Sequence, residues 1–306
     1  MNRAPHIVVV GSTMVDLIAY ASPLPGPGET VEGHDFRLGF GGKGANQAVM
    51  AARLGAEVTF VNRVGEDLFG RLTRENLSDR GIDTSRVGVA EGASTGVAPI
   101  WVEADGTNRI IVVPGANAAV TADAVRDELS GIDAADCVVC QLEIPIEGVA
   151  EALRIGREWG ATTILNPAPF TVLPASLLGL VDWLVPNEFE FAAMAGAPPD
   201  DGSLLEQAEA LGFGLVVTLG PAGAAAVLDG RVERFEPPRV EAKDTTGAGD
   251  AFVGGFAWAL ARGETVGEAV RIGNACGALS VTRAGTQASF PTLEAVLATT
   301  AVKGEV

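Results

Sequence analysis

Asp244-Thr245-Thr246-Gly247-Ala248-Gly249-Asp250 runs straight into Ala251-Phe252-Val253-Gly254-Gly255. Two glycines stand just ahead of an acid at the start of an apolar segment whose pattern predicts a helix to about Arg262. Backbone N–H groups at a helix start lack intrahelical partners, and with the helix dipole they form an anion site. Gly247, Ala248 and Gly249 would supply such amides, and Asp250 would lie in the same first turn. An anion hole beside a carboxylate suits phosphoryl transfer, because amides hold the developing charge while the carboxylate accepts a hydroxyl proton. Taken alone, the stretch also reads as a glycine turn with an acidic helix start.

Outward from that stretch, short apolar runs at 6–11, 58–61, 137–140, 162–165, 183–185 and 215–219 predict central strands. Helical patterns at 45–54, 68–80, 121–129, 147–159 and 204–211 fall between them, and Gly55, Gly81 and Gly160 stand where helices end. This alternation predicts an α/β fold, a mostly parallel sheet flanked by helices on both faces. Residues 17–40 and 95–113 break the rhythm with strand-like, turn-rich sequence, which predicts a small antiparallel β sheet beside the main one, placed to act as a lid. One domain over 1–306, with the lid at about 15–40 and 95–113, accounts for the chain.

Composition narrows the function. The 306 residues carry 39 acidic and 21 basic side chains, a formal charge of −18, with no basic stripe for nucleic acid. No apolar run reaches the ~18 residues that suggest a membrane span, and the opening Met1 to Asp16 reads as a first strand rather than a signal peptide. Three cysteines cannot all pair, which suits a reducing cytoplasm. Cys137 and Cys140 form a C-x-x-C inside a strand, where residues three apart face opposite ways, so core packing is expected instead of redox or metal chemistry. His6 and His34 are the only histidines, which argues against histidine-based catalysis.

A second glycine-rich stretch, Gly39-Phe40-Gly41-Gly42-Lys43-Gly44-Ala45-Asn46-Gln47, follows a strand and opens a helix. Its G-x-G-x-x-G spacing admits a dinucleotide reading, with Glu66 and Asp67 near the spacing of a ribose-holding acid. That fingerprint belongs after the first strand, however, and would leave Asp250 unexplained. The alternative is close backbone approach to a hydroxyl-rich ligand, with Lys43, one of only three lysines (43, 243 and 303), and Asn46 as donors. Asp16 and Glu143 are carboxylates near strand carboxyl ends, suited to accept from vicinal hydroxyls. Asn187 and Glu190 are one helical turn apart, which fits both ordering of Mg²⁺ waters and a helix capping box.

These segments in order resemble the ribokinase-like (PfkB) carbohydrate kinases over essentially the whole chain: Gly-Ser-Thr-Met-Val-Asp at 11–16, Gly-Gly-Lys-Gly-Ala-Asn-Gln-Ala at 41–48, Cys-Gln-Leu-Glu at 140–143, Asn-Pro-Ala-Pro at 166–169, the N-x-x-E at 187–190 and the stretch 244–250. The resemblance implies transfer of the ATP γ-phosphoryl group to the 5-hydroxyl of D-ribose. Asp250 would be the base, the Gly247, Ala248 and Gly249 amides the anion hole, and Asp16, Gly42, Lys43, Asn46 and Glu143 the sugar contacts. It further implies that Asn187, Asn274 and the loop of Thr218, Leu219, Gly220, Pro221, Ala222 and Gly223 contact ATP, and that Glu190 places Mg²⁺. Activating K⁺ would lie by Asp244, Thr246, Ser280, Arg283, Gly285 and Ser289, several of them through backbone carbonyls. The lid would also form a homodimer contact. Met14 departs from the Asn common at that place and leaves a deoxy-sugar, another pentose or a nucleoside as the alternative substrate.

Overall fold

The computed structural model describes residues 3–301; the proposed first-strand start at Met1 and the lysine at 303 lie outside them. In chain order the elements are β1 His6–Val10, β2 Met14–Tyr20, β3 Asp35–Gly41, α1 Lys43–Arg53, β4 Glu57–Val64, α2 Leu68–Asp79, β5 Val87–Val89, β6 Val97–Val102, β7 Asn108–Ile110, α3 Ala122–Leu129, β8 Cys137–Cys140 and α4 Ile146–Glu158. There follow β9 Thr162–Leu165, α5 Ala175–Leu178, β10 Trp183–Leu184, α6 Glu188–Ala195, α7 Asp201–Leu211, β11 Gly214–Thr218, β12 Ala224–Leu228, β13 Arg231–Phe235, α8 Ala248–Ala261, α9 Val266–Ser280 and α10 Leu293–Ala301.

Nine strands form the main sheet in the order β13-β12-β11-β10-β9-β8-β1-β4-β5. All pairings from β11 to β5 are parallel, and the β12–β13 hairpin closes one edge antiparallel. Alternation along the strands explains the two-sided burial. On β1, Ile7 and Val9 join one apolar cluster with α1, α8 and α9, while Val8 and Val10 join the other with α3 and α4. The cysteines follow the same rule, Cys137 in the first cluster and Cys140 in the second, both buried and unpaired. Burial pushes both thiols far above the usual range, which leaves them inert packing groups.

The segments singled out as a lid make a separate sheet in the order β3-β2-β6-β7. Its outer pairings, β2–β3 and β6–β7, are antiparallel, whereas the central β2–β6 pairing is parallel. A parallel pair needs a long crossover, and here the chain between β2 and β6 passes through α1, β4, α2 and β5 before it returns. Asp67 anchors that return. It caps α2 by accepting from Gly70 N–H at 2.8 Å and holds Thr95, just before β6, through its N–H at 2.8 Å and its hydroxyl at 2.6 Å. Asp67 is therefore engaged structurally, and the dinucleotide reading loses one of its two candidate ribose-holding acids. Among the described residues no helix is long and apolar enough to cross a membrane.

Candidate active site

The chemistry-bearing side chains gather where the parallel strands end. Ser12 follows β1, Gln141 and Glu143 follow β8, Asn166 follows β9, Asn187 follows β10, and the loop that starts at Thr218 closes β11. Carboxyl ends of parallel strands are where open α/β sheets bind ligands. Above them α1 and α8 begin, both packed in the first apolar cluster.

Asp250 lies in the first turn of α8 and is 8% exposed. Its Oδ2 accepts from Asn46 Nδ2 at 2.8 Å and its Oδ1 from Gln47 Nε2 at 3.2 Å, both on α1. Burial raises its pKa, a shift opposed by the Lys43 ammonium and the Asn46 amide and reinforced by Glu143. Burial also pulls the Lys43 ammonium down, but Asp250, Glu143 and Glu190 outweigh it, so Lys43 is raised and stays charged. One lysine thus answers three carboxylates. Burial raises Glu190 too, and its Oε2 takes the Asn187 N–H at 2.8 Å.

The start of α8 is open. Gly247 is the N-cap in the left-handed region (φ 77°), and no side chain caps the helix. The Ala248 N–H donates to Thr245 O at 3.2 Å, so of the three expected amides this one is turned into the loop. Gly249 faces free space: a Cβ there would meet no atom within 4 Å. An uncapped helix start with space before it fits the phosphates of a nucleotide.

The glycines at 39–44 serve close approach, but largely to the protein itself. A Cβ on Gly44 would lie 2.6 Å from Ser12 N, and one on Gly42 would lie 2.6 Å from Thr13 Cα, where φ is also +86°. Gly42 therefore has only backbone to offer a ligand. The tight fit locks α1 to the β1–β2 turn and brings the Lys43 N–H to Glu143 Oε2 at 2.9 Å, an oxygen that also accepts from Ser12 Oγ at 2.5 Å. Asp16, on β2, is pushed up to about 6 by burial and then by Glu143. Met14 is buried, with its sulfur 3.7 Å from Asn117 Nδ2.

The other predicted residues divide. Asn187 and Glu190 form the capping box of α6, Asn187 Oδ1 accepting from Phe189 and Glu190 N–H at 2.9 and 2.8 Å. Electrostatic coupling of Glu190 to Lys43 and Asp250 turns its charge toward the site as well. Asn187 bridges to Thr218, which brings the 218–223 loop alongside; there Gly220, Pro221 and Ala222 form one 3₁₀ turn, and the Leu219 N–H reaches Gly223 O at 2.7 Å. Asn274 is buried in α9 with its Nδ2 on Phe235 O at 2.8 Å.

Asp244 joins two loops, accepting from Thr246 N–H at 3.0 Å and Gly285 N–H at 2.9 Å. Burial works to raise its carboxyl, but these hydrogen bonds outweigh it and hold the pKa low. The Ser280 and Ser289 hydroxyls each donate at 2.8 Å to the carbonyl three residues back, and Arg283 lies in the exposed turn between them. Carboxylate and carbonyl oxygens are the donor type that replaces the hydration shell of K⁺. Among the described residues no group of three or more His, Cys, Asp or Glu could hold a metal. Mg²⁺ needs none, since one or two carboxylates with substrate phosphates suffice, and Glu190 offers one.

Sequence reasoning missed the buried amides behind Asp250. Gln47 Nε2 also meets Asn166 Oδ1 at 3.1 Å, Gln141 Nε2 meets Gln47 Oε1 at 2.6 Å, and Gln287 Nε2 meets Asn46 Oδ1 at 3.1 Å. The available signal was polarity out of place, as in Gln141 directly after the apolar Cys-Val-Val-Cys.

Known proteins resemble the chain in sequence and fold. The pfkB family carbohydrate kinase pattern matches residues 4–293. The chain is 38% identical to a ribokinase of Haemophilus influenzae, with 95% of this chain and 97% of that one covered. It is equally 38% identical to a deoxyribokinase of Salmonella typhi, with 94% and 96% covered. A ribokinase of Arabidopsis thaliana solved with ribose and ATP superposes with a TM-score of 0.88 at 33% identity, covering 97% of this chain and 99% of that one. Matched almost end to end in sequence and fold, the chain belongs to the pfkB family of carbohydrate kinases.

Proposed function

We propose that this carbohydrate kinase transfers the γ-phosphoryl group of ATP to the 5-hydroxyl of D-ribose, giving D-ribose 5-phosphate. The observation that carries the reading is Asp250, buried at an uncapped helix start, tied by two amides and faced by Lys43. Asp250 accepts the hydroxyl proton while the sugar oxygen attacks phosphorus; its raised pKa brings it nearer the proton it must take. The Gly247 and Gly249 amides, with the helix dipole, face the charge of the transferring group. Asp16 and Glu143 accept from the sugar hydroxyls, with Gly42, Lys43 and Asn46 beside them. Lys43 keeps the carboxylates ionised together.

ATP lies along Asn187, the 218–223 loop and Asn274. The Glu190 carboxylate would hold Mg²⁺, which when bound would supply charge neutralisation at the phosphates. The loops of Asp244 and Thr246 and of Ser280, Arg283, Gly285 and Ser289 would hold K⁺, which would steady the turn before Gly247. The chain works as one kinase domain in the cytoplasm, with the β2-β3-β6-β7 sheet as lid over the sugar. That sheet leaves Phe36, Leu38 and Trp101 exposed on one face, an apolar surface suited to a homodimer contact.

A second reading, 2-deoxy-D-ribose, is favoured by Met14, whose thioether offers a hydroxyl no donor. Identity to the deoxyribokinase equal to that to the ribokinase supports it. Coupled ADP release from Mg·ATP with K⁺ present, against D-ribose, 2-deoxyribose, fructose 6-phosphate, adenosine and pseudouridine, separates them. The highest kcat/KM on ribose is expected. A deoxyribose preference would transfer the assignment to the second reading, and a nucleoside preference would refute both.

A further inference from the structure

Each oxygen of Asp250 is held by an amide, and one of those amides is itself oriented from far away. Gln287, in the segment between α9 and α10, is 2% exposed. Its Oε1 accepts from Asn76 Nδ2 at 2.9 Å and Arg80 Nε at 3.3 Å, at the end of α2. Its Nε2 donates to Asn46 Oδ1 at 3.1 Å, and Asn46 Nδ2 donates to Asp250 Oδ2 at 2.8 Å. The amides run head to tail, from the Arg80 guanidinium, which can only donate, to a carboxylate that only accepts.

We propose that Gln287 is a positioning residue for phosphoryl transfer: pinned by Asn76 and Arg80, it fixes the direction of the Asn46 amide and so keeps a donor on Asp250 Oδ2. The proposal rests on Asp250 as the base. An asparagine amide can rotate so that O and N exchange places. With Gln287 present, rotation would set Asn46 Nδ2 against the Gln287 donor and Asn46 Oδ1 against the Asp250 carboxylate. Two repulsive contacts would replace two hydrogen bonds, so one orientation wins. Without the Gln287 donor, the penalty on that side disappears and the carboxylate is held less firmly. Misplacement of a reacting group by about 1 Å can cost on the order of a hundredfold in rate. Glu66, Asp67 and the remaining acids of the lid base play no part in this chain of bonds.

The variants Gln287→Glu and Gln287→Met separate positioning from packing. Glutamate keeps the acceptor for Asn76 and for Arg80, but turns the second position into an acceptor. Asn46 must then donate to it and present Oδ1 to Asp250. Methionine removes donor and acceptor at similar volume. Asn76→Ala, at a half-buried position, loosens the anchor and leaves Gln287 in place. Steady-state kinetics over pH and thermal melts would be recorded for each, beside Asp250→Asn.

In Gln287→Glu, a wild-type Tm should accompany a kcat lower by about tenfold or more, a sugar KM changed by less than about threefold, and an acid limb of kcat displaced to higher pH. The charges facing Asp250 from its neighbours, Lys43, Glu143 and Glu190, are the same in every variant. Gln287→Met should lose kcat in the same direction without an added charge, and Asn76→Ala by about threefold. A folded Gln287→Glu enzyme with wild-type kcat and an unmoved acid limb overturns the proposal. If neither Gln287 variant folds, Asn76→Ala with wild-type kcat overturns it. Should Asp250→Asn retain turnover within about tenfold, the base assignment itself fails; full loss there with intact Gln287 variants defeats only this inference.

Discussion

The Asp16 carboxylate rests against Gly41: a Cβ at residue 41 would lie 2.9 Å from Asp16 Oδ2 and 3.1 Å from Oδ1. Gly39, directly opposite Asp16 in the β2–β3 register, leaves only slightly more room, 3.3 Å to Asp16 Cβ. Two glycines of the 39–44 stretch therefore shape the seat of one carboxylate. Gly41→Ala should displace Asp16 and raise the KM for the sugar by roughly tenfold, about 1.4 kcal/mol, with kcat nearly unchanged. An unaltered KM would separate Asp16 from sugar binding.

The raised pKa of Asp16 has an opposite consequence for stability. Its folded pKa of about 6 lies above the ordinary carboxyl value of 3.8, so between those values the folded state binds more protons than the unfolded state. Stability from this group is full at low pH and is lost as pH rises through the window. Asp16→Asn should therefore raise the Tm of the ligand-free protein by a few degrees near pH 7, and abolish most sugar affinity. Differential scanning calorimetry beside a sugar titration checks both signs.

Gly247 and Gly249 should respond differently to alanine. Gly247 has φ 77°, and a Cβ there would collide with Thr286 Cγ2. Left-handed backbone costs a non-glycine residue roughly 1–2 kcal/mol before any collision, so Gly247→Ala should lower the Tm by several degrees. Gly249 has ordinary φ and open space before it. Gly249→Ala should melt like wild type but lose ATP affinity and kcat, because the methyl enters the volume a phosphate needs. Equal effects of the two on melting would contradict the open anion site.

How much of this could be read from the chain depends on the range of each interaction. Periods of 2 and 3.6 residues are local, so β8 and β9 fall at the positions the apolar runs predict, and α8 ends at Ala261, one residue from Arg262. The β12–β13 hairpin was missed, although Asp229-Gly230, with φ of 48° and 72°, is a hairpin-turn signal. The parallel β2–β6 pairing was out of reach, because its partners are brought together by α2 and the Asp67–Thr95 bonds. Asp250, Lys43 and Glu143 stood out as charges among glycines and apolar residues. Gln287 did not, because its importance lies in Asn46 and Arg80, more than 200 positions earlier.

The apolar lid surface predicts self-association. Phe36, Leu38 and Trp101 are 61%, 40% and 37% exposed on one face of the sheet, a cost in water that a second copy would remove. Light scattering should give twice the chain mass of 31.3 kDa, and Phe36→Glu with Leu38→Glu should halve it. A monomer for the wild type at micromolar concentration would leave the patch to another role.

The central claim is that the buried Asp250 carboxylate takes the hydroxyl proton. Asp250→Asn preserves shape and leaves one oxygen to accept from Asn46 or Gln47, while Asp16 and Glu143 are untouched, so the sugar site should survive. Single-turnover ADP formation with D-ribose and Mg·ATP, alongside calorimetric ribose binding, is the direct measurement. The account predicts turnover lower by several orders of magnitude, as loss of a base commonly costs about 10²–10⁴-fold, with ribose affinity within a few-fold of wild type. Turnover within about tenfold of wild type at intact ribose affinity would contradict it.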